Sequence, residues 1–435
     1  MGDKNVAYSK KTEEYLEAVC AQVRWKKACP SIRQEIFAHI EDQQEAFIKN
    51  GIEQEEANAK AIKEMGDAVL VGSQFDRVYR PKFNWSIISI VAVMLIGGFF
   101  IRLFIANEID GGYLNFAKEL GVFAVAIGVM LAGYFLDVTI LAKLNQNIYL
   151  AYLAVLAAVI IIPNLRFGLS QFSFDSYDYS SYLIIVFPLA FLGVMSGSNI
   201  KKRSSFIKCI ILQLVPCLIY ALSHSVQTAI ICSIIGITML TFALLNDYFG
   251  INKIIGALTI VFSNILLTIT SLLLNKDLLP GSLNLSGSYR ATQVNEMLAG
   301  AKMFGRGSYI EQKITSYTGV NNALTFLIYR LGWFSLAVIC ILLIAFFITG
   351  FIFAIKQKNL LGKMLSIGIL SMMSLEAFAY IFVNLVLGTA ISLPLPLISY
   401  GSIALIAYSF VIGLMLSVFR SEYLLFDKSK FILAR

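Results

Sequence analysis

Long apolar runs, repeated from Phe83 almost to the end of the chain, are the feature that most constrains the fold. Each has about 20 residues, the length that an α-helix needs to cross a hydrocarbon core of about 30 Å. Within a bilayer a backbone segment must satisfy its own polar groups, which a helix does and an open strand does not. The pattern therefore predicts an all-α polytopic membrane protein.

We place ten transmembrane helices on the sequence, separated by polar breaks. They cover roughly residues 84–106, 118–138, 147–164, 181–199, 206–223, 226–245, 254–275, 323–354, 364–388 and 400–420. One connection, residues 276–322, is much longer than the rest. Long connections are where a rigid scaffold tends to carry function, so we expect the functional site there.

Charge separates a polar head, residues 1–82, from this membrane domain, residues 83–420. The head holds 13 basic and 14 acidic residues, so the net charge of +8 belongs to the apolar part. Basic residues cluster in the connections on one side and in the tail, residues 421–435, as the positive-inside rule requires of cytoplasmic segments. We therefore predict a multi-pass protein of the plasma membrane with both termini in the cytoplasm.

The same composition excludes several classes of function. Only 14% of the residues are charged, against about 25% in a soluble domain, which excludes a soluble enzyme. The basic surplus is flanking charge for membrane lipids and not a nucleic-acid footprint. The six cysteines do not form a disulfide framework, and the sequence has no metal-ligand spacing or phosphate-binding loop. We predict no metal, no cofactor and no nucleic-acid partner.

The head carries three amphipathic stretches at helical spacing, over residues 15–23, 32–48 and 57–65. They predict a small cytoplasmic three-helix domain. Residues 12–80 also resemble the permease prefix domain of Gram-positive membrane proteins, with NGIEQEEANAKAIKEMGDA as the most specific segment. That resemblance implies a partner-docking or regulatory role without chemistry.

The last outer connection reads ISLPLPLISYGS, and its two prolines, Pro394 and Pro396, forbid a regular helix. This string resembles the C-terminal signature of the FtsW/RodA/SpoVE family, also called SEDS proteins, whose pattern is close to G-x-P-L-P-F-I-S-Y-G-G-S-S. Residues 394–401 match that pattern except at Leu397, and residues 402–404 replace its small residues.

Two further segments strengthen the resemblance. In the long connection, SYRATQVNEMLAGAKMFGRG keeps the family positions at Tyr289, Gln293, Gly300, Phe304, Gly305 and Gly307. The segment around residues 225–229 is similar to a family motif centred on Q-P-D-L-G-T-A, with Thr228 and Ala229 retained and Ser225 at the aspartate.

The resemblance implies a peptidoglycan glycosyltransferase that acts on lipid II beside a class B penicillin-binding protein, in division, cell shape or sporulation. Such chemistry needs a group that accepts the proton of a sugar hydroxyl and a cation that stabilises the departing diphosphate. Three cations of the long connection suit a diphosphate, although an outer salt-bridge network is an equal alternative: Arg290, Lys302 and Arg306. The family pattern adds four substrate-binding candidates: Tyr289, Gln293, Ser399 and Tyr400.

The acids of the family pattern are replaced here. Counting back from Gly332 places Asn321 at the family aspartate, and an amide cannot act as a general base. One hypothesis is a diverged enzyme that uses another outer acid, with these candidates: Glu311, Glu296, Asp175 and Asp178. Another is a catalytically silent relative that binds lipid-linked substrate or a penicillin-binding partner. A lipid II transporter is the third.

Two arginines lie within the apolar runs. Arg102 is placed either to extend to the lipid head groups or to face the interior of the helix bundle. We expect Arg330 to face a cavity or to pair with an acid, because a charge facing lipid is costly.

Overall fold

The computed structural model describes residues 9–80, 83–110, 114–136, 146–166, 182–198, 202–223, 225–274, 289–308, 323–357, 359–387, 395–398 and 402–420. Helix dominates these ranges, and none of them contains a β-strand, which confirms the all-α prediction. The chain divides into two compact units, with the first boundary between Phe83 and Asn84.

The first unit is a helical head with one more helix than the sequence predicted. Its helices are α1 (Lys10–Gln22), α2 (Cys29–Lys49), α3 (Gln54–Glu64) and α4 (Ala68–Tyr79). The prediction of three helices is wrong, because residues 68–79 form a fourth that packs against the core through Ala68, Val71, Phe75 and Tyr79. Three other apolar side chains of α4 are exposed: Val69, Leu70 and Val78.

The core of the head lies between α1 and α2 and is sealed by α4. It is built from Leu16, Val19, Val23, Ala28, Ile32, Ile36, Ile40 and Ala61. Gly72 lets α4 approach α1, because a Cβ at that position would lie 2.6 Å from the carbonyl oxygen of Val19. Asp67 caps α4 by accepting a hydrogen bond of 2.7 Å from the amide of Val69.

The second unit contains the membrane helices. They are α5 (Trp85–Asp110), α6 (Leu114–Phe135), α7 (Gln146–Arg166), α8 (Phe187–Ser196), α9 (Arg203–Leu222), α10 (Val226–Leu245), α11 (Lys253–Leu274), α12 (Tyr289–Ala299), α13 (Ala323–Leu331), α14 (Trp333–Lys356), α15 (Leu360–Phe382) and α16 (Ser402–Arg420). A 3-10 turn, Leu183–Val186, precedes α8, and a π-helical turn, Val383–Leu387, extends α15.

Among the described residues, eight helices are long and apolar enough to cross a membrane: α5, α6, α9, α10, α11, α14, α15 and α16. The third and fourth predicted transmembrane helices correspond to shorter apolar helices, Gln146–Ile160 and Leu183–Ser196. The eighth was predicted as one helix over residues 323–354 and is in fact two, α13 and α14. Gly332 separates them with φ +92°, and a Cβ there would meet the carbonyl oxygen of Met303.

Small residues and amide pairs join the membrane helices. Gly133 of α6 approaches α16 so closely that a Cβ would lie 2.7 Å from the carbonyl oxygen of Phe410, and Gly413 of α16 contacts the carbonyl oxygen of Met130 in the same way. Gln213 of α9 donates to Asn264 of α11 at 3.0 Å, and the reciprocal bond measures 3.3 Å. Close approach and buried amide bonds are how membrane helices associate without a hydrophobic driving force.

Candidate functional site

The structure describes only part of the site predicted from sequence. Asn321, Glu311, Ser399, Tyr400, Asp175 and Asp178 lie outside the described residues, and so do the side chains of Tyr289, Arg290 and Gln293. The three candidates whose side chains are described, Glu296, Lys302 and Arg306, are all exposed.

Lys302 and Arg306 lie on one loop, residues 300–308, which we call the cap loop. Backbone bonds fix this loop against the ends of α13 and α14. The amides of Gly305 and Gly307 donate to the carbonyl oxygens of Leu331 and Tyr329, at 3.1 and 2.8 Å. The amide of Trp333 donates to the carbonyl oxygen of Lys302 at 3.0 Å. The loop therefore presents its two cations from a fixed backbone, and Glu296 precedes it by one helical turn.

An apolar cluster lies beneath the cap loop and ties it to α5. It contains Met297 of α12, Ala323, Phe326 and Tyr329 of α13, and Ile105, with Ile101 and Phe104 packed against it. The guanidinium of Arg330 lies 5.6 Å from the ring centre of Phe326, a cation–π contact. An aromatic ring thus faces the arginine for which the sequence predicted a cavity or an acid.

A buried ion pair joins α5 to α6 near this cluster. Arg102 and Glu119 are each 2% exposed. The Nε and Nη2 atoms of Arg102 both lie 2.7 Å from Glu119 Oε2, and Nη2 donates to Ser402 Oγ at 3.2 Å. The structure supports the second alternative for Arg102, in which its side chain faces the interior of the helix bundle.

Ser402 is the first residue of α16 and lies near the end of the proline-containing signature, so the ion pair is joined to that signature. Residues 395–398 of the signature are buried. Leu397 adopts φ +61°, an uncommon conformation for a residue with a side chain. Its carbonyl oxygen contacts Gly98 of α5 at the place a Cβ would occupy.

A second buried acid lies deeper between α15 and α16. Glu376 is 1% exposed, and the hydroxyl of Tyr408 donates to its Oε2 at 2.6 Å. The hydroxyls of Tyr152 and Tyr220 lie 3.3 Å apart. The interior of the bundle therefore contains polar groups that a purely structural apolar core does not need.

Polar contacts also link α13 to the end of α15. The hydroxyl of Thr325 donates to Asn384 Oδ1 at 3.3 Å, and the amide of Leu324 donates to the hydroxyl of Tyr380 at 3.4 Å. Asn384 lies in the π-helical turn, a distortion that is frequent at functional sites. Helix α13, which follows Asn321 in the sequence, is therefore hydrogen-bonded to the end of α15.

Sequence reasoning missed Glu119 and Glu376. Both are single acids inside apolar runs, and an ionisable residue within a transmembrane segment is by default a candidate for function. The sequence carries that signal at both positions, whereas the acids predicted from it all lie in the connections.

The contact between α5 and the signature gives a test with neighbouring glycines. We expect Gly98→Ala to destabilise the protein and displace the signature, because its methyl group would collide with the carbonyl group of Leu397. Gly97→Ala is the matched control, since nothing lies within 4 Å of a Cβ there. Thermal unfolding of both variants in detergent measures the difference, and equal midpoints would contradict the close approach.

Comparisons with known proteins agree with this architecture. The FtsW/RodA/SpoVE family, described as cell cycle proteins, matches residues 83–424. No curated protein matches the chain by sequence. A chain from a study of the structural coordination of polymerization and crosslinking by a peptidoglycan synthase complex aligns with TM-score 0.58 and 18% identity, over 78% of this chain and 98% of that chain.

The rod shape determining protein RodA of Thermus thermophilus aligns over the same shares of the two chains, with TM-score 0.52 and 15% identity. A variant of that protein gives TM-score 0.53 at the same identity. Identities this low show a shared fold, and the family match extends over most of the chain. The chain belongs to the FtsW/RodA/SpoVE family.

Proposed function

We propose that this membrane protein assembles peptidoglycan as a diverged glycosyltransferase acting on lipid II or a related lipid-linked precursor. The observation that carries the proposal is the buried pair of Arg102 and Glu119, joined to Ser402 at the end of the family signature. A charged pair inside a transmembrane bundle is costly, so its presence beside the signature favours a functional role.

The reaction joins the 4-hydroxyl of one sugar to the anomeric carbon of another, and the bond to undecaprenyl diphosphate breaks. The leaving diphosphate gains negative charge, which a guanidinium stabilises with two parallel hydrogen bonds. We assign this role to Arg306, with Lys302 beside it on the exposed cap loop. Arg102 is 2% exposed and bonded to Glu119 and Ser402, so its proposed role is to hold the signature in position. Arg290 remains a further candidate for the diphosphate.

The proton of the attacking hydroxyl needs an acceptor, which Asn321 cannot be. Glu311 and Glu296 remain proposals for this role. Glu119 is 2% exposed and paired with Arg102, so its proposed role is to hold that guanidinium. Tyr289, Gln293, Ser399 and Tyr400 remain proposed substrate contacts.

We propose that both termini lie in the cytoplasm, which places the cap loop on the outer face. The support is the distribution of lysine and arginine among the connections. This orientation would bring Lys302 and Arg306 to the leaflet on which peptidoglycan is polymerised.

The ion pair can be tested by replacing one partner and then both. Arg102→Gln should lower the unfolding midpoint, since leaving one charge of a buried pair alone costs about 3–5 kcal/mol, and it should abolish glycan synthesis. The double variant Arg102→Gln, Glu119→Gln should regain stability but not synthesis. Thermal unfolding and glycan formation from lipid II measure the two effects. A double variant that polymerises at the original rate would make the pair structural only.

A second candidate function is a catalytically silent relative that binds substrate or a partner. The observation that favours it is Asn321 at the position of the family aspartate. Asn321→Asp should then create polymerase activity from lipid II, with Asn322→Asp as the matched control for added charge. No gain, together with lost activity in Glu311→Gln, would instead favour an enzyme with a relocated base.

We also propose a class B penicillin-binding protein as partner. The support is the likeness to a chain from a complex that coordinates polymerization and crosslinking. Crosslinked membranes should therefore yield a single-span penicillin-binding protein when the chain is purified, as identified by mass spectrometry. An unrelated polytopic protein carrying the same tag is the control, and absence of the partner after crosslinking would contradict the proposal.

A further inference from the structure

The head contains two cysteines that its fold brings together. Cys20 lies in the last turn of α1, and Cys29 is the first residue of α2. The Sγ of Cys20 is 3.9 Å from the carbonyl oxygen of Cys29, and the Sγ of Cys29 is 3.8 Å from the carbonyl oxygen of Cys20. Each side chain thus reaches across the helix connection to the other residue.

The short connection between these helices has a fixed conformation. A 3-10 turn covers Lys26–Ala28, and the ammonium of Lys26 donates to the carbonyl oxygens of Cys20 and Ala21, at 2.9 and 3.2 Å. Val23 and Ala28 are fully buried in the core on either side. A bond between the two sulfurs would therefore join segments that are already held next to one another.

We propose that Cys20 and Cys29 form a dithiol that glutathione disulfide, or another small disulfide oxidant, converts to an intramolecular disulfide. Both cysteines are thiols in the structure. The conversion makes the head a site of reversible oxidation in a chain whose peptidoglycan role requires no redox chemistry.

The two thiols have different roles because their exposure differs. Cys29 is half-buried, whereas Cys20 is 7% exposed, so the oxidant reaches Cys29 first. The Cys29 thiolate attacks one sulfur of glutathione disulfide and releases one glutathione thiolate. The Cys20 thiolate then attacks the Cys29 sulfur of this mixed disulfide and releases the second glutathione. The protein loses two electrons and two protons, and two glutathione molecules carry them away.

The surroundings of Cys29 predict how the rate depends on pH. Burial raises the pKa of its thiol and the neighbouring Cys20 raises it further, while Lys26 and Arg33 act in the opposite direction. Because only the thiolate attacks a disulfide, oxidation should become faster as the pH rises above neutrality.

A second cysteine pair provides an internal control. Cys217 of α9 and Cys232 of α10 lie on two helices that pack against each other, but both are fully buried. Glutathione disulfide cannot reach a sulfur without solvent exposure. Proximity alone would predict oxidation of both pairs, whereas proximity combined with access predicts oxidation of the head pair only.

The experiment uses the full chain in detergent, equilibrated with excess glutathione disulfide, alkylated and digested with trypsin. Cleavage at Arg24 and Lys27 separates the two cysteines, so a disulfide appears as a linked peptide pair in mass spectrometry. We expect this pair to form faster at higher pH and to disappear with reduced glutathione. Cys217 and Cys232 should be alkylated as thiols after unfolding.

Two single variants test the order of the steps. Cys20→Ser should leave Cys29 as a mixed disulfide with glutathione, and Cys29→Ser should leave Cys20 as a thiol. Phenylarsine oxide, which bridges two neighbouring thiols, should bind the head of the original chain and neither variant. The proposal is overturned if Cys20 and Cys29 remain thiols under the oxidant, or if each carries glutathione without forming the linked pair.

Discussion

A charge buried in the apolar part of a membrane protein needs its counter-charge within the protein, and one end of the bundle is organised around such a pair. Arg102 and Glu119 can each be buried only while the other is in place, since an unpaired ion in this environment costs several kcal/mol. Their bond fixes α5 against α6, and the contact of Arg102 with Ser402 fixes the start of α16. The relative positions of three helices thus depend on the polar contacts of Arg102.

The close helix contacts around this pair are part of the same arrangement. Gly98 admits the carbonyl group of Leu397, so the signature lies against α5 next to the helix turn that carries Arg102. Gly133 and Gly413 bring α6 and α16 to backbone contact further along. Without these small residues the three helices would stand further apart, and Ser402 would not reach the guanidinium.

Hydropathy was sufficient to predict the fold class and the positions of most transmembrane helices, because the cost of exposing backbone polar groups to lipid acts on every residue of a run. It could not predict the break at Gly332. An apolar run of residues 323–354 has the same hydropathy whether it forms one helix or two, and the break depends on backbone bonds from the distant cap loop. The fourth head helix is a different case, since Ala68, Val71, Phe75 and Tyr79 recur at helical spacing and the sequence therefore carries the signal that the prediction of three helices left out.

The site was less predictable than the fold, because sequence spacing does not tell which buried polar residues meet. Arg102 and Glu119 are separated by 17 positions, and Glu376 and Tyr408 by 32, each pair on two helices. The family pattern indicated the long connection and Asn321, which lies outside the described residues, and it carries no information about acids within the apolar runs. Glu119 has a structural role that does not depend on catalysis, because it neutralises the buried guanidinium of Arg102 beside the signature. The cations of the cap loop, Lys302 and Arg306, are a separate feature because their side chains are exposed. The buried pair therefore accounts for how the helices are held together, and the cap loop supplies the charges that solvent reaches.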